Sequence, residues 1–306
     1  MDVECNNLGK CYRNRWIIRH FNIHLSKGKV MLIAGPSGSG KSTLINLMSG
    51  LISPSEGEII LDAKNTKAHY KSIKPFISCV WNENSLFLNM SIIKNLRFFS
   101  LLYGQDWEEA SVSADNLLHE LGIFYERNRF ISNLSSGSQR KVDICRALII
   151  DPKLLLLDEP SSLLDNKSKK ALLHILLNYK KHQKTIIIVS HHASLYSELI
   201  DELIILKSGR IIYNAPVKDL TKDDRKYHNA FILKTSDRHH ANDILRSLPE
   251  VHDTYVSRKA VHIYLEEGMD IYTVINSLGL QRLKIKKIFS KESNLDKLIG
   301  DLVNAN

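Results

Sequence analysis

"GPSGSGKST", Gly35–Thr43, is the stretch that decides the fold. It fills the phosphate-loop pattern G-x-x-x-x-G-K-[ST]. "KVMLIA" (Lys29–Ala34) before it reads as an apolar strand, and "LINLMSG" (Leu44–Gly50) after it has helical period. Strand, loop and helix in that order are the setting the pattern requires. Gly35, Gly38 and Gly40 allow a tight turn and a close backbone approach to an anion. The loop as a whole (Gly35, Pro36, Ser37, Gly38, Ser39, Gly40, Lys41, Ser42 and Thr43) is the candidate cradle for nucleotide phosphates at a helix N-terminus. Lys41 can reach the outer phosphates, and the Ser42 hydroxyl suits Mg2+. The bland alternative is a Gly/Ser turn.

A second apolar strand, "KLLLLDEP" from Lys153 to Pro160, ends in two acids. A buried strand delivers Asp158 and Glu159 at its carboxyl end, beside the phosphate loop. Asp158 suits Mg2+ held through water, and Glu159 suits the orientation and polarisation of an attacking water. Alone, the pair reads equally well as acids capping the helix after Pro160. The loop upstream favours the catalytic reading.

A chain of 306 residues with 43% apolar content predicts about two domains with proper cores. No apolar run approaches the ~18 residues that span a bilayer. "MDVECNNLGK" at the N-terminus lacks a secretory pattern, so a cytosolic placement is expected. Cys5, Cys11, Cys79 and Cys145 form no C-x-x-C pair and read as reduced thiols. The net charge of +9 is carried by scattered lysines, with one modest cluster at Lys284, Lys286 and Lys287. It reads as solvated faces rather than as a nucleic-acid footprint.

Strands are expected around the phosphate loop, at Glu58–Leu61 and at Phe76–Trp81. From about Ser85 to Ile150 the apolar spacing turns helical, as in "SIIKNLRFFSLLYG". Strand, helix and strand return at Lys153–Asp158, Leu164–His182 and Thr185–Ser190. The sum is a parallel α/β core with a helical insertion. The charged stretch Lys218–His228 reads as a linker. Beyond it the order is strand, helix, two strands, helix, strand and a last helix, the ferredoxin-like succession. Its histidines His239, His240, His252 and His262 lack ligand spacing.

"NLSSGSQRKVDICRALIIDPKLLLLDEPSSLLD", Asn133–Asp165, together with the phosphate loop, resembles the ATP-binding-cassette (ABC) ATPases over about residues 3–217. The resemblance implies a phosphate-loop ATPase core with an antiparallel β-subdomain and a helical subdomain at about 83–150. That makes residues 1–217 the cassette, 218–228 the linker and 229–306 a small α+β domain. "ENSLFLNMSIIKNLRFFSLLYG", Glu83–Gly104, is similar to the branch that energises drug, antibiotic or polysaccharide exporters. Carried over by motif position, Tyr12 stacks on adenine, Glu159 is the general base and His191 contacts the γ-phosphate. Ser135 and Gly137 belong to the signature that closes on a second subunit's ATP, and Asp165 crosses the dimer. Asn82 stands where the family has the Gln that reaches Mg2+ and the membrane partner.

The implied cofactors are ATP and Mg2+. The implied partners are a second ATPase subunit and a separately encoded integral-membrane subunit, with the chain at the cytoplasmic face of the membrane and no nucleic acid bound. Asn82 for Gln, Ser136 and Ser138 in the signature, and Leu163 for a small residue depart from the family pattern. They leave the phosphate-binding and acid–base groups in place and imply an active but slow ATPase. The alternatives are a soluble ABC ATPase acting on ribosomes or DNA, and a weakly hydrolysing regulatory cassette.

Overall fold

A computed structural model describes residues 1–217, 230–257, 260–266, 269, 271–280, 285–290 and 295–305. The expected linker, 218–228, and Lys284 of the lysine cluster lie outside the described residues. The chain divides into two compact units, Met1–Ala215 with Ile299–Asn306, and Pro216–Leu298.

In chain order the first unit runs β1 (Val3–Tyr12), β2 (Arg15–Leu25), β3 (Val30–Ala34), α1 (Lys41–Met48), β4 (Glu56–Leu61), β5 (Lys64–Asn65), α2 (Thr66–Ile73) and β6 (Ile77–Val80). It continues through α3 (Ile92–Leu102), α4 (Trp107–Glu120), α5 (Ser136–Leu148), β7 (Leu154–Asp158), α6 (Asn166–Lys181), β8 (Thr185–Val189), β9 (Glu202–Lys207) and β10 (Arg210–Pro216). Two sheets form. One has the order β2-β1-β4-β5, its strand pairs antiparallel. The other has the order β10-β9-β3-β8-β7-β6, and β9, β3, β8, β7 and β6 pair in parallel.

β3, β7 and β8 are buried at every position. Strands covered on both faces need no polar alternation, which is why "VMLIA", "LLLLD" and "TIIIV" read as unbroken apolar runs. α1 lies between the sheets, packed on β2 on one side and on β7 and β8 on the other. Phe21, Leu25, Leu44, Met48, Leu156 and Val189 share that core. The carboxyl ends of the parallel strands deliver the loop after Ala34, the pair Asp158–Glu159, the turn Ser190–His191 and the turn Trp81–Asn82 to one rim, where open α/β sheets place ligands.

α3, α4 and α5 pack on one another, and α5 also packs on β6. Each starts on a side-chain cap. Ser91 accepts from Lys94 N, Asp106 from Glu108 N, and Ser135 from Ser138 N. Such caps satisfy amides that the helix leaves open.

The second unit contains β11 (Ala230–Thr235), α7 (Arg238–Arg246), β12 (Val251–Val256), β13 (Val261–Leu265), α8 (Ile271–Leu280), β14 (Ile285–Ser290) and α9 (Leu295–Ala305), which the unit division splits. Its sheet has the order β12-β13-β11-β14 with antiparallel pairs. This is the expected ferredoxin-like arrangement. β13 alternates buried and half-buried positions, so one face meets Leu245, Val274 and Leu278 of the helices.

Candidate active site

The loop after β3 is built on glycine. Gly35 has φ +147°, and a Cβ there would lie 2.1 Å from Leu206 O of β9. Gly40 has φ +105°, and its Cβ would lie 2.5 Å from Ile18 Cδ1 and 3.0 Å from Ile17 O. Only glycine fits either place. Gly40 is the N-cap of α1, so the first amides of that helix receive no side-chain cap and face the loop. Ser39 is buried beneath, its amide bonded to Pro36 O and its carbonyl to Gly209 N. Lys41 arches over the loop and donates to Gly35 O at 2.8 Å and Pro36 O at 2.9 Å. Burial lowers its pKa, against the opposing pull of the Glu159 and Asp158 carboxylates.

Asp158 is the last residue of β7 and only 3% exposed. Burial raises its pKa, and the Glu159 charge adds to that. A hydrogen bond from the Ser42 hydroxyl and the charges of Arg140 and Lys41 act the other way. Ser42, Asp158 and Asn82 thus offer a hydroxyl, one carboxylate and an amide at the same rim. That is the hard-oxygen set that Mg2+ takes beside phosphates. Among the described residues no group of three or more His, Cys, Asp or Glu suits a metal ion.

Glu159 adopts φ +47°, a left-handed backbone that costs a non-glycine residue about 1–2 kcal/mol. Its peptide is held on both sides. The amide donates to Val189 O at 2.9 Å, and the carbonyl accepts from Arg140 Nη2 and Ser162 Oγ, each at 2.8 Å. The conformation aims the carboxylate at the turn after β8. Oε2 accepts from Ser190 Oγ at 3.2 Å. Oε1 accepts from the His191 amide at 3.1 Å and from His191 Nδ1 at 2.7 Å.

A cavity of about 740 Å3 gathers Gly35, Pro36, Ser37, Gly38, Gly40, Lys41, Ser42, Thr43, Asn82, Asp158, Glu159 and His191. Ser39 supports it from behind. Tyr12 is not among its lining residues; it ends β1, 46% exposed, with Lys10 Nζ 4.9 Å from its ring centre. Ile17, an aliphatic that no motif marks, lines the cavity instead.

Ser135, Gly137 and Asp165 are not among the cavity's lining residues. A Cβ on Gly137 would lie 2.9 Å from Leu163 O. Lys141 Nζ lies 3.6 Å from Asp165, which caps α6 by accepting from Ser168 N at 2.8 Å. That amide holds the Asp165 carboxyl below its ordinary value.

Sequence reasoning missed Arg140, Asp143 and Arg146, which are 5%, 1% and 5% exposed. The available signal was their i, i+3, i+6 spacing, which sets three charges on one face of α5. That face turns toward β6 and β7.

The chain matches the family described as ABC transporter over residues 18–162. It is 32% identical over 272 residues to the sulfate/thiosulfate import ATP-binding protein CysA of Mesostigma viride, covering 86% of this chain and 77% of that protein. It is 31% identical over 232 residues to the glutamate/aspartate import ATP-binding protein GltL of Escherichia coli (strain K12), covering 74% and 96%. The dimeric post-hydrolysis state of the ATP-binding cassette MJ0796, bound to ADP and Pi, superimposes with a TM-score of 0.65 at 25% identity, covering 70% of this chain and 98% of that one. Both named relatives are import proteins, so the export direction is a separate matter from the family. With a phosphate loop, an acidic strand end and a rim histidine in one cavity, and with these relatives, the chain belongs to the ABC transporter ATP-binding subunits and is an ATPase.

Proposed function

We propose that the cavity binds ATP with Mg2+ and hydrolyses it to drive a transporter. The contact between Glu159 and His191 at the mouth of the phosphate loop carries this reading. The loop amides and Lys41 bind the phosphates. Glu159 accepts a proton from water as the water oxygen bonds to the γ-phosphorus and the bond to ADP breaks. His191 holds Glu159 in place and is assigned to the γ-phosphate. Ser42, Asp158 and Asn82 would hold Mg2+, which supplies charge neutralisation on the phosphates. Tyr12 is assigned to the adenine side, beyond Ile17.

Ser135, Gly137 and Asp165 form a surface apart from the chain's own cavity, which supports their use on the ATP of a second subunit. The membrane-embedded work is assigned to a separate integral subunit; no described helix of this chain is long and apolar enough to cross a bilayer. The chain would then sit at the cytoplasmic face of the membrane through that partner. Export is the direction favoured by the likeness of residues 83–104 to exporters, and the import names of the relatives stand against it. Cargo movement in inside-out vesicles separates the two. Residues 1–217 are proposed as the cassette, 218–228 as the linker and 229–306 as a domain that supports assembly or regulation.

The test is ATP turnover by the purified chain with and without Mg2+. Glu159→Gln is expected to lower it by about 10²–10⁴ and to accumulate an ATP-bound dimer. Equal rates in the two proteins would overturn the assignment of the base.

A further inference from the structure

Behind the cavity a single guanidinium touches two of the segments that build it. Arg140 of α5 is buried. Its Nη1 donates to the main-chain oxygen of Trp81, the residue before Asn82. Its Nη2 donates to the main-chain oxygens of Asp158 at 2.7 Å and Glu159 at 2.8 Å. The next turn of the helix places a counter-charge beside the guanidinium. Asp143 Oδ2 lies 3.7 Å from Nη1, and Asp143 Oδ1 accepts from Arg146 Nε at 2.8 Å and Ser85 Oγ at 2.7 Å. Arg146 Nη2 in turn donates to Cys79 O at 2.6 Å. Charge-assisted bonds to carbonyls therefore fasten α5 to the carboxyl ends of β6 and β7.

Packing alone does not explain this arrangement. A buried guanidinium carries a desolvation cost that an apolar side chain of similar volume avoids. What the guanidinium adds is directional control of three carbonyls. The Glu159 carbonyl is the one that matters for chemistry, because its residue sits at φ +47° and turning out of that conformation would swing the carboxylate away from Ser190 and His191. The same fork fixes the peptide leading into Asn82. α5 begins at the Ser135 cap, so a displacement of the signature end of the helix is transmitted to both places.

We infer that Arg140 is a positioning residue for the hydrolytic step, setting the Glu159 carboxylate and the Asn82 segment according to the placement of the helix that carries Ser135. This rests on the reading of Glu159 as the base.

The test is a double-mutant cycle on the full chain with wild type, Arg140→Met, Glu159→Gln and the double variant, read by steady-state turnover and by titration with a fluorescent ATP analogue. Arg140→Met is expected to lower kcat about 10²-fold, the scale of an ångström-sized misplacement. Analogue affinity should stay within about twofold, and the double variant should be no slower than Glu159→Gln, because both changes remove one function. A role confined to folding would lower affinity and turnover together and multiply with Glu159→Gln. Either result, or an unchanged kcat, overturns the inference. Should Arg140→Met not fold, Arg140→Lys keeps the charge without the planar fork. It is expected to lose kcat to a smaller extent in the same cycle, and wild-type kcat in it would count equally against the idea. A failure of Glu159→Gln to slow turnover strikes the base assignment and this inference together. A normal Glu159→Gln loss with an additive Arg140 effect strikes this inference alone.

Discussion

One oxygen of Glu159 accepts twice from His191, from Nδ1 at 2.7 Å and from the main-chain amide at 3.1 Å. A carboxylate only accepts, so Nδ1 carries the hydrogen in this contact, and the residue lines the cavity. His191→Ala removes the ring donor and keeps the amide. Turnover should fall by about 10²–10⁴ while ATP still binds. Loss of binding in equal measure would show that the ring serves the ground state instead.

Gly35 and Gly38 of the loop separate space from conformation. Gly35→Ala drives a Cβ to 2.1 Å from Leu206 O, whereas a Cβ on Gly38 meets nothing within 4 Å. Gly38→Ala has only its φ of +76° to overcome, a cost of about 1–2 kcal/mol. Denaturant melts should show that loss for Gly38→Ala and a larger one for Gly35→Ala, which must displace β9 backbone. Equal losses would mean that the contact with Leu206 is easily relieved.

Asp158 lowers the stability of the ligand-free fold. Its pKa is raised by burial from the ordinary 3.8, so the folded chain holds that proton more tightly than the unfolded chain does. Stability therefore falls as pH rises from the ordinary value through the raised one, and it stays lower at neutral pH. Asp158→Asn keeps an acceptor for Ser42 without the charge. It should gain about 0.5–2 kcal/mol at neutral pH, in the usual range for relaxing a functional site, while losing hydrolysis. The gain should shrink on acidification. A gain that grows in acid would contradict the sign.

The thiols should divide by burial. Cys5 is pushed up to about 12 by desolvation, and Cys79 and Cys145 are raised for the same reason. Cys11 alone is half-buried. The thiolate is the reactive form, so a thiol reagent should titrate Cys11 in the native chain and all four cysteines in denaturant. Rapid labelling of a second native thiol would contradict the packing of the core.

Most of the rim was legible because each segment pairs an apolar run with a chemically distinctive end: "VMLIA" before Gly35, "LLLLD" before Glu159, "TIIIV" before Ser190–His191. The order of elements in the second unit was legible for a similar reason, since period-2 and helical stretches alternate there. What stayed hidden depends on partners distant in sequence. β1 carries Asn6, Asn7 and Lys10 and alternates poorly, yet it pairs with both β2 and β4. α2 is short and half polar, and it follows the turn at Asp62–Ala63. Ile17 looks like any strand aliphatic until the loop at Gly40 is laid against it. Arg140, Asp143 and Arg146 look like a solvated helix face, because charge on a helix is ordinarily outside. Main-chain carbonyls at the ends of β6 and β7, offered from elsewhere in the chain, take up the two guanidiniums, and Asp143 between them is satisfied by Arg146 and Ser85, which makes their burial tolerable.

Gly137 rests on Leu163, at a distance from the chain's own cavity, and this has a consequence for kinetics in dilute solution. With the assignment proposed above, each molecule carries two incomplete half-sites that it cannot combine on one nucleotide. Specific activity should then grow with protein concentration, approaching a plateau only as molecules pair. Below that threshold the chain would hold its fuel without spending it, so that pairing itself acts as the throttle.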